Sequence, residues 1–106
     1  MTFEELEKAI IQWADEREIF SKGDTIIQAC KTIEEVTEII SALQRNVKEE
    51  IIDGIGDALV TLIIQAKMNN VSVIDCLQAA YMEIKDRKGK MVAGTFVKVR
   101  NAGYED

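Results

Sequence analysis

The chain has 106 residues and a formal net charge of -6, with no histidine and no proline. Without histidine, a Ser-His-Asp triad, a Cys-His pair and a di-iron bundle built on Glu-x-x-His are all excluded. Zinc sites built on His or Cys clusters are also disfavoured, so any metal has to be a hard ion bound by oxygen. The acidic balance argues against a nucleic-acid polymer as partner, because such a partner needs a basic surface.

The composition predicts one all-α domain spanning residues 1–106, since only 6% of the residues are aromatic and there is no proline. The first residues are acidic, and no uncharged apolar run is long enough to span a bilayer. Neither a signal peptide nor a membrane-spanning segment is therefore predicted. Cys30 and Cys76 are expected to be reduced and mostly buried. We therefore expect a soluble cytoplasmic protein with no membrane partner.

Four helices are predicted in an up-down, bundle-like protomer that ends in a short β-like tail. Periodic apolar residues and capping signals place the helices at about residues 3–20, 25–45, 47–69 and 73–88, and the tail at 89–106. Thr2 and Glu5 are predicted to form a capping box at the start of the first helix. Trp13, on the apolar face of that helix, is interpreted either as a core or dimer contact or as a platform for a nucleobase.

The second and third helices each carry a stripe of polar residues, mostly acids. The residues recur at helical spacings of three and four, which places each set on one face: Gln28, Lys31, Glu35 and Glu38 on the second helix, and Glu50, Asp53 and Asp57 on the third. A short connection makes the two helices antiparallel neighbours, so the stripes can face each other. Carboxylates that converge repel one another, so they can all stay ionised only if a cation lies among them. A magnesium site is predicted, with manganese as the alternative and calcium less favoured.

The second half of the third helix is apolar nearly all round, which predicts burial on more than one side. Its main core stripe is predicted to be Ile51, Ile55, Leu59, Leu62 and Ala66. The acids on its other side continue into Val60 and Ile64, and they are therefore expected to enter the interior. Two glycines lie inside this helix, Gly54 and Gly56, and they indicate the close approach of a neighbouring helix or of a ligand.

The end of the fourth helix is the most basic part of the chain. Its cations, Lys85, Arg87, Lys88 and Lys90, are interpreted either as a complement to the helix dipole or as a clamp for phosphate oxygens. Further on, Thr95 to Arg100 alternates as a β-strand does. A single short strand is not stable alone, so it either forms a hairpin or reaches a partner chain.

These residues resemble a known family, the MazG-type all-α nucleoside triphosphate pyrophosphohydrolases, and in particular its small phage-type and prophage-type members. The family pattern is EExxE followed by ExxD. This sequence has Lys31-x-x-Glu34-Glu35-x-x-Glu38, then Gly56-Asp57-Ala58-Leu59-Val60, then EIKDRKGKM. The resemblance implies a magnesium-dependent enzyme that cuts a nucleoside triphosphate between its α and β phosphates, releasing a nucleoside monophosphate and pyrophosphate. It also implies a homodimer or homotetramer.

The resemblance also assigns roles to individual residues. Glu35, Glu38 and Asp57 match metal-ligand positions of the family. The remaining family acid falls at Gly54, so Asp53 is taken as its substitute, with Glu50 in reserve. The basic segment of the family is approximated by Lys85, Arg87 and Lys88.

The chemistry required of such a site also fits these residues. Phosphoanhydride hydrolysis needs a proton acceptor, for which Glu34 and Glu50 are the candidates. Lys31 and the segment from Lys85 to Lys88 would offset the charge of the phosphates, and Trp13 would hold the base. The alternative function is a non-catalytic helical dimer or binding module whose acidic groove takes a cation or a basic peptide. Exposed and scattered acids would favour that module, whereas apolar flanks favour a closed catalytic site.

Overall fold

The computed structural model describes residues 1–100 and 103–104, and for 100, 103 and 104 it describes the backbone alone. The elements in chain order are α1 (Phe3–Glu16), α2 (Ile19–Lys22), α3 (Thr25–Arg45), α4 (Lys48–Met68), α5 (Val73–Ile84), β1 (Gly89–Val92), β2 (Thr95–Arg100) and β3 (Gly103–Tyr104). The predicted helical fold with a short β tail is confirmed. The chain forms two compact units, Met1–Cys76 and Leu77–Asp106, each described by itself. A single domain over residues 1–106 stays a prediction.

The first predicted helix begins where expected but is divided in two. The capping box is formed, because Thr2 Oγ1 accepts a hydrogen bond from the Glu5 amide and Glu5 Oε1 accepts one from the Thr2 amide. Hydrogen bonds to the Glu5 carboxyl from the backbone amide of Thr2, and to a lesser extent from its hydroxyl, hold the pKa of that carboxyl below its usual value. The continuous helix to residue 20 was wrong, since Glu18 adopts a left-handed conformation with φ 63° between α1 and α2.

Helices α3 and α4 pack against each other as antiparallel neighbours and form most of the first unit. The face of α4 that meets α3 is made of small residues, with Gly54, Ala58 and Thr61 all buried. Gly54 lies directly against Ile39, because a Cβ built on this glycine would stand 3.0 Å from Ile39 Cγ1. The predicted close approach of a neighbouring helix is therefore real at Gly54, whereas at Gly56 a Cβ would meet nothing within 4 Å.

The contact between α3 and α4 also contains a row of polar pairs. Thr32 Oγ1 donates to Thr61 Oγ1 at 2.9 Å, and Gln28 Nε2 donates to the Thr61 carbonyl at 3.1 Å. One turn further on, Gln65 Nε2 donates to Thr25 Oγ1 at 2.6 Å. Partly buried hydrogen bonds of this kind require one register, because a slip along the helix axis leaves their polar groups unpaired.

The predicted core stripe of α4 was wrong for three of its four large residues, and the fourth, Ile51, is half-buried. Ile55, Leu59 and Leu62 are each more than 40% exposed, whereas Ile63 and Ile64 are buried. Because α4 is apolar nearly all round, hydrophobicity alone did not indicate which face meets α3. The small-residue face permits close packing, and the stripe of large residues is left on the surface of the first unit.

The α5 helix is capped by a residue from α1. Glu7 Oε2 accepts hydrogen bonds from Ser72 Oγ at 2.9 Å and from the Val73 amide at 3.1 Å. A carboxylate at this end of a helix satisfies a free amide and suits the helix dipole. The predicted extension of this helix to residue 88 was wrong: α5 ends at Ile84. The Lys88 carbonyl instead accepts a hydrogen bond from the Val99 amide at 2.7 Å, so the chain must already be extended there.

The tail of the second unit forms an antiparallel sheet. Strand β1 pairs with β2 in a hairpin, in a register from Gly89 opposite Lys98 to Val92 opposite Thr95. Ala93 and Gly94 connect them, both with positive φ, as a two-residue hairpin turn requires. Strand β3 adds to the other edge of β2. Of the two predicted arrangements, the hairpin is the one present, and 101–102 and 105–106 of the predicted tail lie outside the described residues.

Two further observations concern the whole described chain. Within it, no helix combines the length and the hydrophobicity needed to cross a bilayer. Cys30 and Cys76 are free, as predicted, but both are exposed, so their predicted burial was wrong.

The two glycines of α4 provide a matched test of the packing. Replacing Gly54 by leucine should lower the free energy of unfolding by about 1–3 kcal/mol, because the side chain has to displace Ile39. Replacing Gly56 by leucine should leave it unchanged or raise it by up to about 0.8 kcal/mol, since leucine favours the helix and meets open space. Urea denaturation at one protein concentration measures both. Equal effects would contradict the contact at Gly54.

Candidate active site

The predicted acidic stripes of α3 and α4 border one open pocket of about 510 Å³. It is lined by Lys31, Glu34, Glu35, Glu38 and Arg45 from α3 and by Glu50, Asp53, Gly54 and Asp57 from α4. All seven charged residues that the sequence proposed on these two helices are therefore brought together. The volume falls in the range of small-molecule sites.

The helical spacing explains why these side chains share the pocket. On α3, the half-buried Glu35 continues the face that carries Gln28 and Thr32 against α4, while Glu34 and Glu38 lie beside it towards solvent. On α4, Asp53 and Asp57 are one turn apart and both exposed. The expectation that these two acids enter the interior was wrong, because they flank the small-residue face rather than belong to it.

Two ion pairs lie among the pocket residues. Lys31 Nζ stands 3.5 Å from Glu34 Oε2, and Arg45 Nη1 donates to Glu50 Oε2 across the α3–α4 connection. The remaining four pocket acids are Glu35, Glu38, Asp53 and Asp57. In the part of the chain that the structure describes, they form no hydrogen bond and no ion pair. These four are the residues that the sequence assigned to a metal.

The donor chemistry of the four acids fits a hard divalent cation, which takes carboxylate oxygens. They are mostly exposed, and no cation among the described residues pairs with them. As the side chains stand, no group of three or more His, Cys, Asp or Glu residues in the described chain is placed so that it could hold a metal ion. Carboxylates that share one pocket repel each other, so without a cation we expect these side chains to stand apart. Exposed side chains reach other rotamers at small cost.

Gly54 explains why Asp53 is the better candidate for the fourth acid. By the resemblance to the MazG-type pattern, the family acid would fall at position 54, where the backbone is buried against Ile39 and has no room for a side chain without displacement. Asp53 is the preceding residue, is exposed and lines the same pocket. Its role as a metal ligand, and those of Glu35, Glu38 and Asp57, stay predictions.

Trp13 is not among the residues that line the pocket. Trp13 is 45% exposed on α1, and the guanidinium of Arg17 lies 4.4 Å from the centroid of its ring. Arg17 Nη1 also donates to the Trp13 carbonyl at 2.9 Å. One face of the indole is thus covered by a cation–π contact. The core interpretation does not account for such exposure, and the nucleobase interpretation stays a prediction.

The predicted basic segment belongs to the second unit. Lys85 follows the end of α5 and lies 3.9 Å from Asp86, an exposed pair of little energetic weight. Arg87 and Lys88 lie between α5 and β1 rather than in a helical turn. The helix-dipole interpretation was therefore wrong for these two residues, and their contact with phosphates stays a prediction.

Sequence reasoning did not assign Arg45 to the site. The signal was present, because Arg45 follows Glu38 by seven residues, two helical turns along the same stripe. In the structure the partner of Arg45 is Glu50 rather than Asp53 or Asp57.

The fold and the pocket together define a class of protein: an all-α domain whose acidic, oxygen-lined site lies between two antiparallel helices. Comparison with known families identifies the family within this class. The profile of the MazG nucleotide pyrophosphohydrolase domain matches residues 23–92, and the chain belongs to that family. The matched segment contains the whole pocket.

Two curated relatives are similar to this chain. An uncharacterised 18.2 kDa protein from the rep–hol intergenic region of Haemophilus phage HP1 is 34% identical over 71 residues, covering 67% of this chain and 44% of the relative. A phosphoribosyl-ATP pyrophosphatase of Bacillus mycoides is 33% identical over 90 residues, covering 85% of this chain and 79% of the relative. The chain thus spans less than half the length of the phage relative. No solved structure matches it significantly.

Proposed function

We propose that this domain hydrolyses a nucleoside triphosphate to a nucleoside monophosphate and pyrophosphate. The observation that carries the proposal is one pocket in which four acids, without partners among the described residues, lie beside two cation–carboxylate pairs, in a chain that belongs to the MazG family. The bond broken joins the α and β phosphates, and water supplies the new oxygen on the α phosphorus. We place this reaction in the cytoplasm, where nucleotides are abundant.

We propose that Glu35, Glu38, Asp53 and Asp57 hold magnesium, with manganese as the alternative. When bound, such an ion neutralises charge on phosphoryl oxygens and makes water more acidic. Six carboxylates and two cations line the pocket. A triphosphate is itself strongly anionic, so it enters favourably only together with added positive charge.

The remaining pocket residues act on the water and the phosphates. Glu34 and Glu50 are the candidates to accept the proton of the attacking water. Each is held by a neighbouring cation, Glu34 by Lys31 and Glu50 by Arg45. We propose further phosphate contacts from Lys31 and from Lys85, Arg87 and Lys88. For the base we propose the open face of Trp13 or an aromatic ring of a second protomer.

The arrangement of the acids bears on the alternative of a binding module. The acids are mostly exposed, as that alternative expects, but they share one pocket instead of being scattered. Of the apolar residues expected to close the site, Ile64 is buried and Val60 half-buried, and neither lines the pocket. Collection of the acids in a pocket of ligand size favours catalysis over capture of an extended basic peptide.

We further propose that the domain forms a homo-oligomer through the opposite side of the α3–α4 pair. An apolar groove of about 560 Å³ lies there, and none of its lining residues is charged: Ala29, Thr32, Ile33, Val36, Thr37, Ile40, Leu62 and Gln65. It faces away from the acids, because Glu38 and Ile40 differ by two positions, about 200° round the helix. An uncharged groove in a chain with 30% charged residues marks an interaction surface.

Pyrophosphate release tests the proposed reaction. The wild-type protein, offered a panel of ribo- and deoxyribonucleoside triphosphates with magnesium, should release pyrophosphate and the matching monophosphate in equal amounts. Chelation with EDTA should stop the release, and added magnesium or manganese should restore it. Release of inorganic phosphate instead, or no release from any triphosphate, would overturn the proposal.

A further inference from the structure

Arg45 is the one guanidinium among the residues that line the pocket, and it lies at the end of α3 next to the connection to α4. The pocket's other cation, Lys31, is fourteen residues earlier. At 1.5 Å per residue, the two are roughly 21 Å apart along the helix axis. They therefore serve different ends of the pocket, and the end near the connection has Arg45 as its cation.

Arg45 is held by an anion that a phosphate can replace. Nη1 donates to Glu50 Oε2, while Nε has only a long contact of 3.4 Å with Ser41 Oγ. Both side chains of the ion pair are about half exposed, at 51% and 48%, so water screens the pair and little energy holds it together. A guanidinium also binds phosphate oxygens in a two-pronged geometry, which a single carboxylate oxygen does not use fully.

From this geometry we infer that Arg45 is a phosphate-binding residue of the site, kept near Glu50 in the free domain and transferred to phosphoryl oxygens when the nucleotide enters. The inference rests on the proposed function and extends it. Pairing with Glu50 keeps Arg45 at the end of the pocket, and the exchange leaves Glu50 free of its cation when substrate is bound.

The two partners of the pair should affect nucleotide binding in opposite directions. Arg45→Gln removes the phosphate contact and should weaken binding of an α,β-non-hydrolysable triphosphate with magnesium by about tenfold to a hundredfold. Glu50→Gln frees Arg45 and should leave that affinity unchanged or raise it a few-fold. Titration calorimetry measures both without any chemical step. Inorganic pyrophosphate with magnesium, as a second probe, should show the same order of affinities.

Lys48→Gln is the matched control, since Lys48 is exposed, carries the same charge, is three residues from Arg45 and does not line the pocket. Its affinity should stay within about twofold of wild type. Equal weakening in Lys48→Gln and Arg45→Gln would mean a net-charge effect and would overturn the inference. Equal weakening in Arg45→Gln and Glu50→Gln would mean a structural ion pair and would also overturn it.

The outcome for the wild type separates the two proposals. If wild type binds the analogue and Arg45→Gln binds it equally well, the inference about Arg45 fails and the proposed function stands. If wild type does not bind the analogue at all, the proposed function fails, and the role of Arg45 fails with it. Circular dichroism at the same temperature confirms that each variant is folded.

Discussion

Replacing Glu38 by glutamine or Asp57 by asparagine should lower kcat for pyrophosphate release by at least about a hundredfold. Both acids line the pocket and have no protein partner in the described chain, so each substitution removes an anionic oxygen and little else. The new side chains have nearly the same shape. Initial rates at saturating triphosphate, measured across a magnesium titration, give both kcat and the metal dependence.

Glu49→Gln is the matched control for these variants. Glu49 is on the same helix as Asp57, is exposed and is not among the residues that line the pocket. Its variant should keep wild-type activity within about twofold, since a surface charge outside the site is screened. Wild-type rates in both Glu38→Gln and Asp57→Asn would show that these acids do not form the site.

Thermal unfolding, which requires no catalysis, distinguishes a variant that has lost metal binding from one that has lost its fold. Magnesium at about 100 times its dissociation constant stabilises a protein that binds it by about 2.7 kcal/mol. That increment in thermal stability should be present in wild type and in Glu49→Gln, and should shrink in the two pocket variants. Without magnesium, all four proteins should unfold at similar temperatures, because none of the substitutions breaks a hydrogen bond of these acids.

Much of the pocket could be predicted from the sequence, because helical spacing is a strong constraint. Residues three and four apart lie on one face, so Glu35 and Glu38 had to be neighbours, as did Asp53 and Asp57. The short connection after Arg45 made α3 and α4 antiparallel. These two facts place the acids together without any knowledge of packing. Helical spacing and the short connection do not predict the position of Lys85, because that position depends on contacts of the second unit.

The packing face of α4 could not be predicted in the same way. Periodicity identifies the stripe with the largest side chains, which here contains Leu59 and Leu62. The structure instead buries Gly54, Ala58 and Thr61, since small residues let two backbones approach and the threonine has a hydrogen-bond partner on α3. Hydrophobicity alone does not indicate that the stripe of small residues is the one that packs against α3.

The irregular positions were equally hard to predict. Glu18 adopts a left-handed conformation without being glycine or asparagine, so the sequence contained no signal for the break after α1. The end of α5 at Ile84 depends on the hairpin, whose first residues pair with a strand that follows later in the chain. Such breaks are set by tertiary contacts, whereas the alternation from Thr95 to Arg100 was visible locally.

Introducing a charge into the uncharged groove, by Val36→Glu or Leu62→Glu, should dissociate the proposed oligomer. Val36 and Leu62 are 45% and 42% exposed, and both line the uncharged groove. Two symmetry-related glutamates buried in one interface should cost at least about 4 kcal/mol, a thousandfold in dissociation constant. Light scattering after size exclusion should change from a multiple of the 11.9 kDa chain mass to a single chain.

Met91→Glu controls for the added charge, because Met91 is 66% exposed on the hairpin and lies outside the groove. The Met91→Glu variant should remain assembled.

Unfolding provides a second measurement in case the groove variants fold poorly, since a protein stabilised by association has a melting temperature that rises with its concentration. Ala14, Ala42 and the other fully covered apolar residues of the described chain are mostly small, so the first unit has little core of its own. A wild-type chain that is monomeric at micromolar concentration, with a concentration-independent melting temperature, would contradict assembly through the groove.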